Sequence, residues 1–218
     1  MRAPRTPRNS VLALALALAL APGCLMTRGN GEPASEVREV APFTGIHVGG
    51  AFQLQAEPGP ETRVTLEGDA NLLPMVEVES TGGTLRVALR DNVLPDLPLK
   101  VVVRAPALRA VDLSGAARGD VTGISGASFE AEVSGASTLH LAGKVDRLVA
   151  DLSGASELAA EDLVAEAVEV ESSGASSASV TANASLTADA SGASSVTWRG
   201  NATKVEREAT GASSIEQR

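Results

Sequence analysis

The chain has 218 residues, a formal charge of −9 at pH 7 and a single cysteine. Its acidic balance argues against nucleic acid and anionic lipid headgroups as partners, and one cysteine cannot form an intramolecular disulfide, so a folded body must be held by packing and hydrogen bonds. Aromatic residues are scarce, with Phe43, Phe52, Phe129 and Trp198 as the whole set.

Residues 1–23 read as an export leader. Arg2, Arg5 and Arg8 make a positive start, Val11 to Ala21 an apolar core and Pro22-Gly23 a small-residue exit. The apolar stretch is shorter than the roughly 20 residues a permanent membrane span needs. Cys24 follows at once, and Leu20-Ala21-Pro22-Gly23-Cys24 resembles a bacterial lipobox, in which the cysteine is diacylated and becomes the new N-terminus. An ordinary secretory cut that leaves a free thiol is the alternative. Loss of the leader removes three arginines and no acid, which takes the charge from −9 to −12. Residues 24–36, rich in Gly, Pro, Asn and Ser without apolar periodicity, are expected to be the acylated cysteine and a flexible tether.

From residue 37 the pattern is strand, turn, strand. Phe52, Leu54 and Ala56 alternate with Gln53 and Gln55, Val64 and Leu66 sit among polar neighbours, Val76 and Val78 alternate with Glu77 and Glu79, and Leu85, Val87 and Leu89 with Arg86 and Arg90. Glu57-Pro58-Gly59-Pro60, Gly68-Asp69 and Thr81-Gly82-Gly83 predict the turns between them. Leu99 to Val103 is more continuously apolar, which predicts a strand covered on both faces. The 157–167 stretch has helical composition, yet it falls in phase with the strands of its neighbours, so no helix is expected after the leader.

The second half repeats. Ser-Gly-Ala-Ser and close variants start at Ser114, Ser134, Ser153, Ser173, Ser191 and Thr210, in steps of 20, 19, 20, 18 and 19 residues, and Ser125 to Ser128 carries one further copy out of phase. A period in this range marks units that bury their apolar faces against one another. Superposed, the repeats sort into columns: Leu139, Leu158, Ala178, Val196 and Ile215 are expected inside, as are Leu141, Ala160, Val180 and Trp198, while Leu148, Val168 and Leu186 begin the inward column of the returning strand. Asn183 and Asn201 are expected at a second corner, in the left-handed conformation that Asn tolerates.

A coil of 18–20 residues with two corners, stacked about 4.8 Å on its neighbour, describes an all-β chain wound as a single parallel β-helix, or β-solenoid. Gly115, Gly135, Gly154, Gly174, Gly192 and Gly211 then supply a corner conformation denied to other residues, and the flanking serines are expected to hydrogen-bond along a ladder of identical residues. An antiparallel sandwich is the competing fold, but it does not explain corner chemistry at fixed register.

Together, Phe43-Thr44-Gly45-Ile46-His47-Val48, Glu67-Gly68-Asp69-Ala70-Asn71-Leu72-Leu73, Gly83-Thr84-Leu85-Arg86-Val87, Leu113-Ser114-Gly115-Ala116 and the repeated tetrapeptide resemble the exported bacterial proteins with a GIN domain, described as autotransporter-adhesin heads. The resemblance runs from about Val40 to the C-terminus. It implies a right-handed β-helix, often lipid-anchored, and it carries no catalytic residues to transfer. Without a C-terminal membrane barrel the chain is not expected to be an autotransporter itself.

An acid stands two residues before every motif: Asp112, Glu132, Asp151, Glu171, Asp189 and Glu208. In-register stacking would make them a file at about 4.8 Å spacing, where like charges repel by about 0.9 kcal/mol per pair in bulk water. The file serves either as a solvated stripe that blocks sideways association or as a weak, millimolar site for divalent cations, chiefly Ca²⁺, which prefers several oxygen ligands. An enzyme of the polysaccharide-lyase kind would need a constellation that breaks the repeat, and these acids follow it. His140 alternates between Leu139 and Leu141 as an ordinary outward residue, and Trp198 sits in a core column rather than as a sugar platform. Ice binding is disfavoured because the serines sit at corners.

The expected function is a non-catalytic, adhesin-like binding or scaffolding module of the bacterial envelope, lipidated at Cys24 on the outer membrane, with a polysaccharide-acting enzyme or a weak Ca²⁺-binding surface protein as alternatives. Its expected partners are the membrane, through the lipid, and an envelope polysaccharide or surface protein. Nucleic acid is excluded, no cofactor beyond weak Ca²⁺ is expected, and end-to-end self-association stays open.

Overall fold

The computed structural model describes residues 26–218; the leader and Cys24 lie outside the described residues. The chain opens with β1 (Thr27–Arg28), β2 (Pro33–Arg38), β3 (Gly45–Gly50), β4 (Gln53–Pro58) and β5 (Arg63–Asp69). It turns through one 3-10 segment, Leu73–Met75, and continues as β6 (Val76–Thr81), β7 (Thr84–Leu89), β8 (Val93–Leu94) and β9 (Lys100–Ala105). The repeats follow as β10 (Ala110–Gly115), β11 (Arg118–Val133), β12 (Thr138–Leu152), β13 (Glu157–Ser172), β14 (Ser177–Ala190), β15 (Ser195–Arg199), β16 (Lys204–Ala209) and β17 (Ser214–Gln217). Among the described residues no helix is long and apolar enough to cross a membrane.

The coils stack in parallel, and each long strand serves two sides of the solenoid. On one side the ladder runs from β4 through the first halves of β11 to β14 into β15 and β17. On the other it runs from β3 through β10 and the second halves of β11 to β14 into β16. Register shifts between Val121 and Ile124, His140 and Ala142, and Ala160 and Val164 mark the corner where a long strand passes from one side to the other. At the N-terminal end both sides leave the parallel pattern: β6 pairs β7, and β5 pairs β9 and β2, all antiparallel.

The Ser-Gly-Ala-Ser corner is built from its glycines. Gly154 has φ +77, and a Cβ on it would come within 2.7 Å of the Gly135 carbonyl oxygen in the coil beneath. Glycine is therefore required twice over, for a left-handed backbone and for close stacking. That stacking is held by a ladder in which Ala155 N–H donates to Gly135 O at 2.7 Å and Ala175 N–H to Gly154 O at 2.8 Å. The structure adds a corner that lacks the tetrapeptide: Gly50 lies opposite Gly115, so Gly49-Gly50-Ala51-Phe52 is the first member of the series. The copy at Ser125 to Ser128 lies within β11, with Gly126 opposite Val145, and is no corner of this kind.

The core fills the space between the two sides. Every expected inward column is buried, from Leu139, Leu158, Ala178 and Val196 to Leu148, Val168 and Leu186, and so are Phe43, Phe52, Phe129 and Trp198. Loss of one such leucine to alanine costs about 2–5 kcal/mol in well-packed interiors.

Five sequence expectations change. Residues 26–36 are folded rather than a tether: β1 pairs β8 and β2 pairs β5. Their anchor is Asp69, fully buried, whose carboxylate accepts N–H groups from Gly31 at 2.8 Å and from Asp96 and Leu97 at 3.0 Å. Burial pushes its pKa up, but the backbone donors outweigh that and hold it below the ordinary carboxylate value. Asp69, expected in a turn with Gly68, instead ends β5. Leu99 to Val103 is not covered on both faces either, because Val102 is partly exposed and only alternate residues reach the core. No residue other than glycine has positive φ among those described, so Asn183 and Asn201 do not take the left-handed form; Gly123, Gly143 and Gly200 do, near that second corner. The corner hydroxyls mostly bond backbone carbonyls instead of one another, as Ser194 Oγ does with Ser191 O at 2.9 Å and Ser172 O at 3.0 Å.

Candidate functional site

Parallel, unslipped register places equivalent side chains directly over one another. Asp112 pairs Glu132, Glu132 pairs Asp151, Asp151 pairs Glu171, Glu171 pairs Asp189, and Asp189 pairs Glu208. The six acids thus form one unbroken outward file, spanning five steps of about 4.8 Å, roughly 24 Å in all. Asp112 is half-buried and the other five are exposed.

The file lines one open groove of about 610 Å³ together with the first residue of five corners, Ser134, Ser153, Ser173, Ser191 and Thr210. Two of these hydroxyls also bond to the coil below, Ser134 to Leu113 O at 3.4 Å and Ser173 to Leu152 O at 3.2 Å. Carboxylates accept hydrogen bonds and hydroxyls both donate and accept. The groove therefore presents a repeating pattern along its length rather than a single pocket.

Among the described residues, Glu132, Asp151, Glu171, Asp189 and Glu208 have no basic partner within ion-pairing distance. One column over, Arg147 pairs with Glu169 and relieves that acid alone. At the N-terminal end the file changes character: Asp112 stands opposite His47, His47 opposite Arg86, and Arg86 opposite Glu79. His47 Nδ1 lies 2.6 Å from Asp112 Oδ2. Sequence reasoning passed over His47, because it precedes the first recognised corner; its signal was its place two residues before Gly49, where later coils carry an acid.

The other histidine belongs to the opposite side of the solenoid. His140 Nδ1 is 3.0 Å from Asp120 Oδ1 and its Nε2 is 3.6 Å from Asp162 Oδ2, while Arg199 reaches Asp162 at 3.4 Å. The hydrogen bond to Asp120 raises its pKa above the ordinary histidine value, burial opposes this, and Asp162 adds to the rise. These four side chains tie coils together. No group of three or more His, Cys, Asp or Glu side chains converges to hold a metal among the described residues. Consecutive carboxylates are strung along the file, one per coil, instead of gathered around a point.

The six corner glycines stack in a second file with φ between +73 and +84. The expected lipid site, Cys24, lies outside the described residues.

The family model described as "Putative auto-transporter adhesin, head GIN domain" matches residues 42–202. Among solved structures, a protein from Bacteroides fragilis described as a putative adhesin superposes with a TM-score of 0.71 at 18% identity, over 88% of this chain and 99% of that one. One from Parabacteroides merdae with the same description gives a TM-score of 0.57 at 17% identity, over 88% and 99% of the two chains. A Parabacteroides distasonis protein described as a putative lipid binding protein gives 0.54 at 17% identity, with the same coverages. At such identities the likeness is one of fold. No curated protein sequence matches the chain.

Proposed function

The chain belongs to the family of auto-transporter adhesin head GIN domains, and from that membership we propose that it is a non-catalytic binding or scaffolding module of the bacterial cell envelope. In this reading the leader exports it, lipid on Cys24 holds it at the outer membrane, and the carboxylate groove engages an envelope polysaccharide or a surface protein. The observation that carries the binding role is the unbroken file from Asp112 to Glu208, matched by the row of corner hydroxyls in one groove. A chain of sugar hydroxyls can donate to successive carboxylates at a fixed repeat, so affinity would build up by many weak contacts along about 24 Å.

The file favours a carbohydrate over an active centre because its acids follow the repeat without interruption. Hydrolysis or elimination needs an acid, a base and a reacting bond held at one point, whereas the five carboxylates from Glu132 to Glu208 are all exposed and without a basic partner. A glycan array run with a polysaccharide-degradation screen separates the two. Retention of an envelope glycan without cleavage, lost in the triple variant Asp151→Asn, Glu171→Gln, Asp189→Asn, supports the reading. Depolymerisation by the purified protein, or retention unchanged in the triple variant, overturns it.

The same register favours a second, weaker association, with Ca²⁺ spread along the file rather than caged. Calorimetric titration should give small heats at millimolar Ca²⁺ that vanish in the triple variant.

A further inference from the structure

Four large apolar side chains are exposed among the described residues: Met26 at 55%, Val37 at 53%, Leu94 at 52% and Val205 at 37%. Scattered singly, such residues carry no message, but Met26 and Leu94 are brought together. β1 and β8 pair in parallel with Thr27 opposite Val93 and Arg28 opposite Leu94. Side chains alternate along a strand, so Met26, Arg28 and Leu94 share one face, while Val93 turns the other way and packs on the core. Arg28 is paired with Asp96 at 3.1 Å, and that ion pair adds no net charge to the face.

The folded N-terminal segment gives this face its meaning. Thr27 N–H donates to Asn92 O at 3.2 Å, Gly29 N–H to Leu94 O at 2.9 Å and Gly31 N–H to Asp69 at 2.8 Å, so the chain is committed to the body from β1 onward. Cys24 precedes Met26 by two residues, a reach of about 7 Å at most. A lipid on that cysteine leaves no slack between bilayer and solenoid. The residues nearest the anchor must lie at the membrane surface, and the first of them that the structure describes is the exposed Met26.

We propose that the outward face of the β1–β8 pair, carrying Met26 and Leu94, is a membrane-contact surface that seats the N-terminal end of the solenoid in the interfacial zone of the bilayer; the proposal rests on the reading that Cys24 is lipidated. Interfacial protein surfaces bury their apolar side chains about 5–10 Å into the boundary between headgroups and acyl chains. Along the stack, β16 lies six steps from β3, about 29 Å. Val205 is exposed on β16 at that far end and serves as the reference position.

The test uses the full chain, exported and processed by a bacterial host and reconstituted in phosphatidylethanolamine and phosphatidylglycerol vesicles whose acyl chains are brominated near the headgroups. Mass spectrometry first reads the lipid on Cys24. Tryptophan quenching then compares Leu94→Trp with Val205→Trp, above the constant background of Trp198. Quenching in Leu94→Trp at least about threefold that in Val205→Trp is the expected result. Acylated protein with equal quenching at both positions overturns the contact surface and leaves the anchor standing. Protein without lipid on Cys24 overturns both. Should Leu94→Trp fail to fold, Met26→Trp reads the same face.

Discussion

His47 Nδ1 stands 2.6 Å from Asp112 Oδ2, and with that contact the carboxylate file ends. Every later coil repeats an acid at this column, whereas the first places an imidazole there and the next strand outward places Arg86. The stack of like charges is closed at one end by groups that accept none of its repulsion. His47→Glu should extend the file by one carboxylate and remove the hydrogen bond, and so cost about 1–2 kcal/mol at low salt. Urea denaturation at two ionic strengths checks it: much of the loss should be recovered at high salt, and a loss independent of salt would assign it to packing instead.

The triple variant Asp151→Asn, Glu171→Gln, Asp189→Asn should be more stable than the natural chain. It removes four neighbouring repulsions from the middle of the file, each below about 0.9 kcal/mol once screened, for a net gain of about 1–3 kcal/mol. The same change should abolish groove binding. A gain in denaturation midpoint together with a loss of glycan retention is the expected pair, since functional sites commonly hold arrangements that folding alone would not choose.

Gly154→Ala should cost about 2–5 kcal/mol, from left-handed backbone strain together with a Cβ pressed against the Gly135 carbonyl. Gly82 has φ +61 but open space around it, so Gly82→Ala should lose only the backbone part, about 1–2 kcal/mol. Thermal unfolding of the two variants measures how much of the corner requirement comes from stacking.

His140 lends stability that fades as pH rises. Its folded pKa is raised by Asp120 and Asp162, so its contribution is complete below the ordinary value of about 6.5 and is lost as pH climbs through the higher folded value. The side chain is 40% exposed, which keeps the effect within about 1 kcal/mol. The difference in melting temperature between the natural chain and His140→Gln should shrink steadily from pH 5.5 to pH 8.5; a constant difference would mean that the ring acts by packing alone.

Much of the solenoid can be read from one residue type at one interval. Glycine at a stacked left-handed corner has no substitute, so the six glycines from Gly115 to Gly211 survive every coil and give the period away, and the acids two residues before each motif then fall into line by arithmetic. The first coil hides itself, because Gly49 and Phe52 replace the serines that flank the later corners, and with that coil went His47. Asp69 was hidden for another reason. Its partners are backbone N–H groups of Gly31, Asp96 and Leu97, and a backbone donor leaves no mark in a sequence.

The amino-acid sequence alone determined the period, the inward columns and the alignment of Asp112 to Glu208, since each follows from local chemistry repeated at constant spacing. Only the tertiary structure decided that the segment from Met26 to Glu36 is folded, that His47 closes the file, and that Met26 and Leu94 meet on one face. Those contacts join residues 30 to 66 positions apart by strand register, by backbone hydrogen bonds and by the His47–Asp112 side-chain contact, and apart from the place of His47 two residues before Gly49 the order of the side chains does not encode such pairings.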